Sequence, residues 1–111
     1  MFFGSDNTGP AHPAIMQAVV DANQNYVPSY GADPLMAEVT EKIRTIFEAP
    51  EAAVYLVATG TAANALILGT LANPWDSIYC HRVAHIEEDE CGAPEFYSGG
   101  AKMTLIDGND G

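Results

Sequence analysis

The chain has 111 residues, a hydrophobic fraction of 48% and a formal net charge of −11, from 15 acidic and 4 basic residues. That is room for one small domain, too apolar for a disordered chain, and too acidic for nucleic acid or an anionic membrane surface, both of which recruit lysine and arginine. The basic residues are Lys42, Arg44, Arg82 and Lys102, so an anionic small ligand would rely on backbone N–H groups, with charged partners coming from elsewhere.

Residues 1–11 read as an extended arm ending in the turn formers Asn7, Thr8, Gly9 and Pro10. The arm has no basic n-region and no apolar h-region, so no signal peptide is expected. Residues 12–111 carry helices and the first strands of a single unit. A helix is predicted over 13–25, with Pro13 in its first turn and Ile15, Met16, Val19 and Val20 as its apolar face. An aromatic, breaker-rich loop follows at 26–32. Asp33 before Pro34 is a helix start, Asp as N-cap and Pro at the first helical position, and this helix is predicted to reach residue 48. Leu35, Val39, Ile43, Ile46 and Phe47 form its expected buried stripe, and Glu38 and Lys42 pair weakly on the wet side.

Residues 54–57, Val-Tyr-Leu-Val, are predicted as a buried strand. A turn at 58–61 leads to a helix over 61–72, halted by Asn73 and Pro74. That apolar stretch is interrupted by Asn64 and is too short to span a bilayer. A second strand is predicted at 77–80, a charged helical turn at 84–91 and a third strand at 102–106. Strands alternating with helices predict an α/β fold with a parallel or mixed sheet, and three strands suit part of a larger domain better than a finished one. Cys80 and Cys91 could pair, but a disulfide scaffold of this size normally carries more cysteines. A reducing cytoplasm fits.

The segment Val57-Ala58-Thr59-Gly60-Thr61-Ala62-Ala63-Asn64 lies between a predicted strand and a helix, where open α/β sheets bind ligands. Unpaired N–H groups at the helix start, small residues and the two Thr hydroxyls suit a phosphate. The same residues also suit a plain strand-to-helix turn with Thr as N-cap. Neither dinucleotide nor P-loop glycine motifs are present. The cluster His81, His85, Glu87, Glu88, Asp89, Glu90 and Cys91 lacks HExxH and reads first as a solvated acidic turn. Alternatively, His85 could serve as an aromatic plate against a flat ligand. Tyr30, before a glycine turn, is either a helix entry or a phenol at a site.

Four segments stand together: Ser-Asp-Asn at 5–7, Ser-Tyr-Gly-Ala-Asp-Pro at 29–34, Thr-Gly-Thr-Ala-Ala-Asn at 59–64 and Ala-His-Ile-Glu-Glu-Asp-Glu-Cys-Gly-Ala at 84–93. In this order and spacing the chain resembles the low-specificity L-threonine aldolases, a branch of the aspartate-aminotransferase-like, fold type I enzymes. The resemblance covers essentially the whole chain. It implies a partial three-layer sheet of the pyridoxal 5'-phosphate-binding large domain, with active sites shared between subunits of a dimer or tetramer. It implies Gly60 and Thr61 on the cofactor phosphate with Asn64 nearby, His85 stacked on the pyridine ring, Ser5 on the substrate carboxylate and Tyr30 near the site. Asp89 is expected to recognise the substrate hydroxyl. The implied substrate is a small β-hydroxy-α-amino acid, L-threonine or L-allo-threonine, cleaved to glycine and acetaldehyde. Neither Lys42 nor Lys102 matches the family's Schiff-base lysine, so the 111 residues alone are expected to be inactive. The alternatives are a β-eliminating or transaminase-like enzyme of the same fold, or an inert fragment or assembly partner.

Overall fold

The computed structural model describes Gly4 and residues 8–109. The arm expected over 1–11 falls largely outside those residues, and Ser5 wholly so. The chain divides into two compact units, Met1–Val54 and Tyr55–Gly111.

In the first unit, helix α1 (Pro13–Ala22) starts where predicted and ends earlier. Pro13 removes one N–H that would lack an acceptor, and His12 Nδ1 accepts from the Ala14 N–H at 3.1 Å. The Asn23 N–H closes the helix on the Val19 and Val20 carbonyls, and Asn25 adopts a left-handed φ of 61°. Helix α2 (Pro34–Ile46) is capped by Asp33, whose Oδ1 accepts from the Met36 N–H at 2.9 Å. Its last turn holds Arg44, which complements the negative end of the dipole. Arg44 Nε donates to the Ala52 carbonyl at 2.9 Å and Nη1 to Glu41 at 2.7 Å, folding the following segment back onto the helix. Lys42 and Glu38 stand 3.9 Å apart in solvent.

The apolar faces form but are poorly covered. Ile15, Met16, Val19 and Val20 are all more than half exposed. The expected buried stripe of α2 is half-buried at Val39 and Ile43 and exposed at Leu35, Ile46 and Phe47. These helices present more apolar surface than the described elements of their own unit cover.

Residues 54–57 do not form the predicted strand. They make no backbone hydrogen bond among the described residues, and Tyr55 and Leu56 are largely exposed. Composition makes a segment fit to be a buried strand, whereas pairing makes it one, and pairing depends on a neighbour.

The second unit opens with helix α3 (Gly60–Leu71). Strands β1 (Ser77–His81) and β2 (Lys102–Ile106) pair in parallel, in register from Ser77 with Lys102 to His81 with Ile106. The sheet therefore holds two strands among the described residues, where three were predicted. Parallel pairing requires a crossover, and residues 82–101 supply it with α4 (His85–Glu88) and α5 (Ala93–Tyr97). The sequence pattern did not predict α5. Gly92, at a φ of 73°, precedes it, and Pro94 sits in its first turn.

Helix α3 packs on α5. Ala65, Pro94, Ser98 and Ala101 are buried, a core of small residues. Ser98 Oγ accepts from the Ala101 N–H and donates to the Glu95 carbonyl, both at 3.2 Å. A Cβ on Gly69 would lie 2.9 Å from the Tyr97 carbonyl oxygen. Gly69→Ala is therefore expected to destabilise by about 1–3 kcal/mol through overpacking, against at most about 1 kcal/mol gained in helix propensity. A denaturant midpoint unchanged or raised in the full chain would show that the two helices separate freely. No described helix is long and apolar enough to cross a membrane.

Candidate functional site

The turn into α3 is organised by Thr59, whose backbone is extended (φ −143°, ψ 158°). Its hydroxyl accepts from the Ala62 N–H at 3.1 Å and its carbonyl from the Ala63 N–H at 3.2 Å. The N–H groups of Gly60 and Thr61 have no acceptor among the described residues. They sit at the positive end of a twelve-residue helix. Gly60 is exposed, and a Cβ built on it would meet nothing within 4 Å. The result is an open anion seat made of neutral donors, which suits a chain with so few cations.

Asn64 lies one helical turn beyond Gly60, on the same face of α3. Its Nδ2 donates to Glu90 Oε1 at 2.7 Å. The same oxygen lies 2.8 Å from His85 Nδ1. Glu90 is buried, 3% exposed, and its Oε2 has no partner among the described residues. The His85 side chain is 63% exposed. Glu90 thus links the second turn of α3 to the start of α4, with the His85 side chain otherwise largely exposed.

Of the residues singled out from the sequence, the structure brings Asn64 and His85 together through Glu90, within one unit that also holds Gly60 and Thr61. Asp89 is the C-cap of α4, exposed, and its side chain makes no hydrogen bond or ion pair among the described residues. Tyr30 belongs to the first unit, fully exposed at a left-handed φ of 59° beside Gly31 at 76°. Glu90 was not singled out as a site residue. Nothing in the run Glu87-Glu88-Asp89-Glu90 says which carboxylate turns inward, because its partner Asn64 is remote in sequence.

His81 is taken up in structure. Its Nδ1 accepts from the Val83 N–H at 3.3 Å, so Nε2 carries the proton donated to the Gly108 carbonyl at 3.2 Å. Among the described residues no group of three His, Cys, Asp or Glu side chains stands close enough to hold a metal. Cys80 and Cys91 are both free thiols. Burial pushes the Cys80 thiol up, with the Glu87 and Glu95 carboxylates adding to it, which makes Cys80 a poor nucleophile at neutral pH.

A Leishmania major threonine aldolase structure has the same fold over 86% of this chain and 27% of its own, with a TM-score of 0.77 and 27% sequence identity. The class is therefore an α/β protein carrying part of a fold type I domain. Residues 3–111 match the family described as beta-eliminating lyase, and the chain belongs to that family. A low specificity L-threonine aldolase of Pseudomonas aeruginosa is 40% identical over 103 residues, 93% of this chain and 30% of the relative. Another, from a Pseudomonas species, is 40% identical over 101 residues, 91% of this chain and 29% of the relative. The chain spans about 30% of the length of these curated relatives. The family and these aldolases are in general pyridoxal-phosphate-dependent.

Proposed function

We propose that this chain is the cofactor-phosphate and ring-contact portion of a pyridoxal-phosphate-dependent aldolase. The proposed reaction cleaves L-threonine or L-allo-threonine to glycine and acetaldehyde. The observation that carries the reading is the open seat at Gly60 and Thr61, joined through Asn64 and Glu90 to a half-free imidazole at His85. A phosphate needs N–H groups that no protein group already occupies, and a flat ring needs an exposed flat partner; both are present.

In this reading the Gly60 and Thr61 N–H groups bind the phosphate and Asn64 borders it. His85 lies against the pyridine ring and takes the proton of the substrate hydroxyl. Asp89, exposed beside Glu90, helps recognise that hydroxyl, Ser5 meets the substrate carboxylate and Tyr30 contributes near the site. When bound, the cofactor supplies the electron sink for the pair released as the Cα–Cβ bond breaks. The reading includes a homo-oligomer in a cytoplasmic setting.

The test is to incubate the full-length protein and pyridoxal phosphate with L-threonine and L-allo-threonine. Glycine and acetaldehyde in equal amounts are expected. Ammonia and a keto acid would mark β-elimination instead and overturn the aldolase reading, as would the absence of any product.

A further inference from the structure

We infer that Glu90 is a positioning residue that holds neutral His85 as its Nδ1–H tautomer, leaving Nε2 with its lone pair as the proton acceptor. Three observations carry this. Glu90 is 3% exposed, and Oε1 is the oxygen of its carboxyl group that meets donors within the protein. Both short contacts converge on one oxygen, Asn64 Nδ2 at 2.7 Å and His85 Nδ1 at 2.8 Å. No described residue hydrogen-bonds to His85 Nε2, and the side chain is 63% exposed.

The amide of Asn64 can only donate through Nδ2, so Oε1 must be an acceptor there. Were the carboxyl protonated on Oε1 and donating to His85, Asn64 would be bonding to an acid hydroxyl, a poor acceptor. An Oε1 without a proton accepts both bonds readily. The Nδ1 proton of His85 then points at Glu90. The ring is fixed in rotation as well as in tautomer, as a carboxylate behind a histidine fixes it in other sites.

The consequence for chemistry rests on the proposed aldolase reading. The substrate hydroxyl loses its proton to Nε2 and the O–H electron pair stays on oxygen. His85 becomes an imidazolium whose charge faces the Glu90 carboxylate. Glycine gains one proton at Cα in place of the bond it loses, so the proton on Nε2 returns there, directly or through solvent, and the dyad ends unchanged. Asn64 holds the same oxygen of Glu90 that meets His85, so the helix that carries the phosphate seat also sets the carboxylate that sets the ring.

The experiment is nitrogen NMR on the full-length protein with 15N-ring-labelled histidine, the His85 signals being assigned by their loss in His85→Phe. In the wild type, neutral His85 is expected with a protonated Nδ1 and a bare Nε2, the opposite of the tautomer free histidine favours. In Glu90→Leu, which removes the acceptor at similar size, the Nε2–H form should take over. Its kcat for L-threonine cleavage should fall on the order of 10²–10⁴-fold, the usual worth of a general base, with KM moving much less. Should Glu90→Leu fail to fold, Glu90→Gln keeps the size with a weaker acceptor and should give a mixture of tautomers. Wild-type His85 as Nε2–H overturns the inference, and so does a tautomer unmoved by both variants. The wild-type tautomer as expected without any threonine cleavage would sink the aldolase reading and leave the Glu90 assignment standing.

Discussion

In Gly60→Asp, pyridoxal phosphate binding is expected to fall about 10- to 100-fold while the fold is kept or strengthened. The two effects have opposite signs because they have different origins. Gly60 is the first residue of α3, exposed, with nothing within 4 Å of a Cβ built there. The Cβ of an aspartate at that place meets nothing within 4 Å, and its carboxylate sits near the positive end of the dipole, worth about 0.3–1 kcal/mol in its favour. For a phosphate the same carboxylate is a like charge at close range. At about 4 Å and a surface-like dielectric, repulsion reaches about 4 kcal/mol, and exposure with salt screening cuts it to a tenfold to hundredfold loss. Denaturant unfolding of the full-length protein and a fluorescence titration with the cofactor read the two quantities separately. A variant that is equally stable and binds pyridoxal phosphate as tightly as wild type would place the phosphate elsewhere.

The second large effect is at His85. Replacing it with alanine removes a flat contact surface worth about 0.5–1.5 kcal/mol beyond buried area, so cofactor affinity should fall by roughly tenfold or less. Turnover should fall further, on the order of 10²–10⁴-fold, because the proton acceptor goes with the ring. His85→Phe restores a flat ring and should recover most of the affinity, yet little of the turnover, since a phenyl ring moves no proton. Both variants leave Asn64 as the remaining donor to Glu90 Oε1. A modest stability loss of about 1 kcal/mol is expected from the missing bond. Cofactor titration beside steady-state cleavage tests this. An alanine variant that binds and cleaves as well as wild type would remove His85 from the site.

What was legible in the sequence follows the range of the interaction that decides it. Helix starts at Asp33–Pro34 and Thr59 were readable because a cap bonds only three residues ahead. The strands at Ser77 and Lys102 were readable as short β-branched or apolar runs, and they found each other in the fold. Residues 54–57 have the same character but no backbone partner among the described residues, so the local pattern predicts a strand that the tertiary structure does not make. Helix α5 has no long apolar periodicity to announce it: it is five residues long, and only Gly92, Pro94 and Glu95 mark its first turn. The site shows the same division. The turn at Gly60 and Thr61 is local and readable as either an anion seat or a plain helix entry, whereas the place of Asn64 beside it comes from the resemblance alone. That Glu90 is the carboxylate turned inward is not readable locally, because only the approach of α3 reveals it.

The unpaired run at residues 54–57 has a further consequence. Its amides make no backbone bond among the described residues, so nothing there slows their exchange with deuterated water. A strand laid alongside would give each inward N–H an acceptor and raise its protection toward that of the sheet. Deuterium uptake at Val54, Tyr55, Leu56 and Val57 therefore works as a gauge of sheet completion: rapid where the run stands alone, and slowed, at alternate amides first, wherever a neighbour has docked.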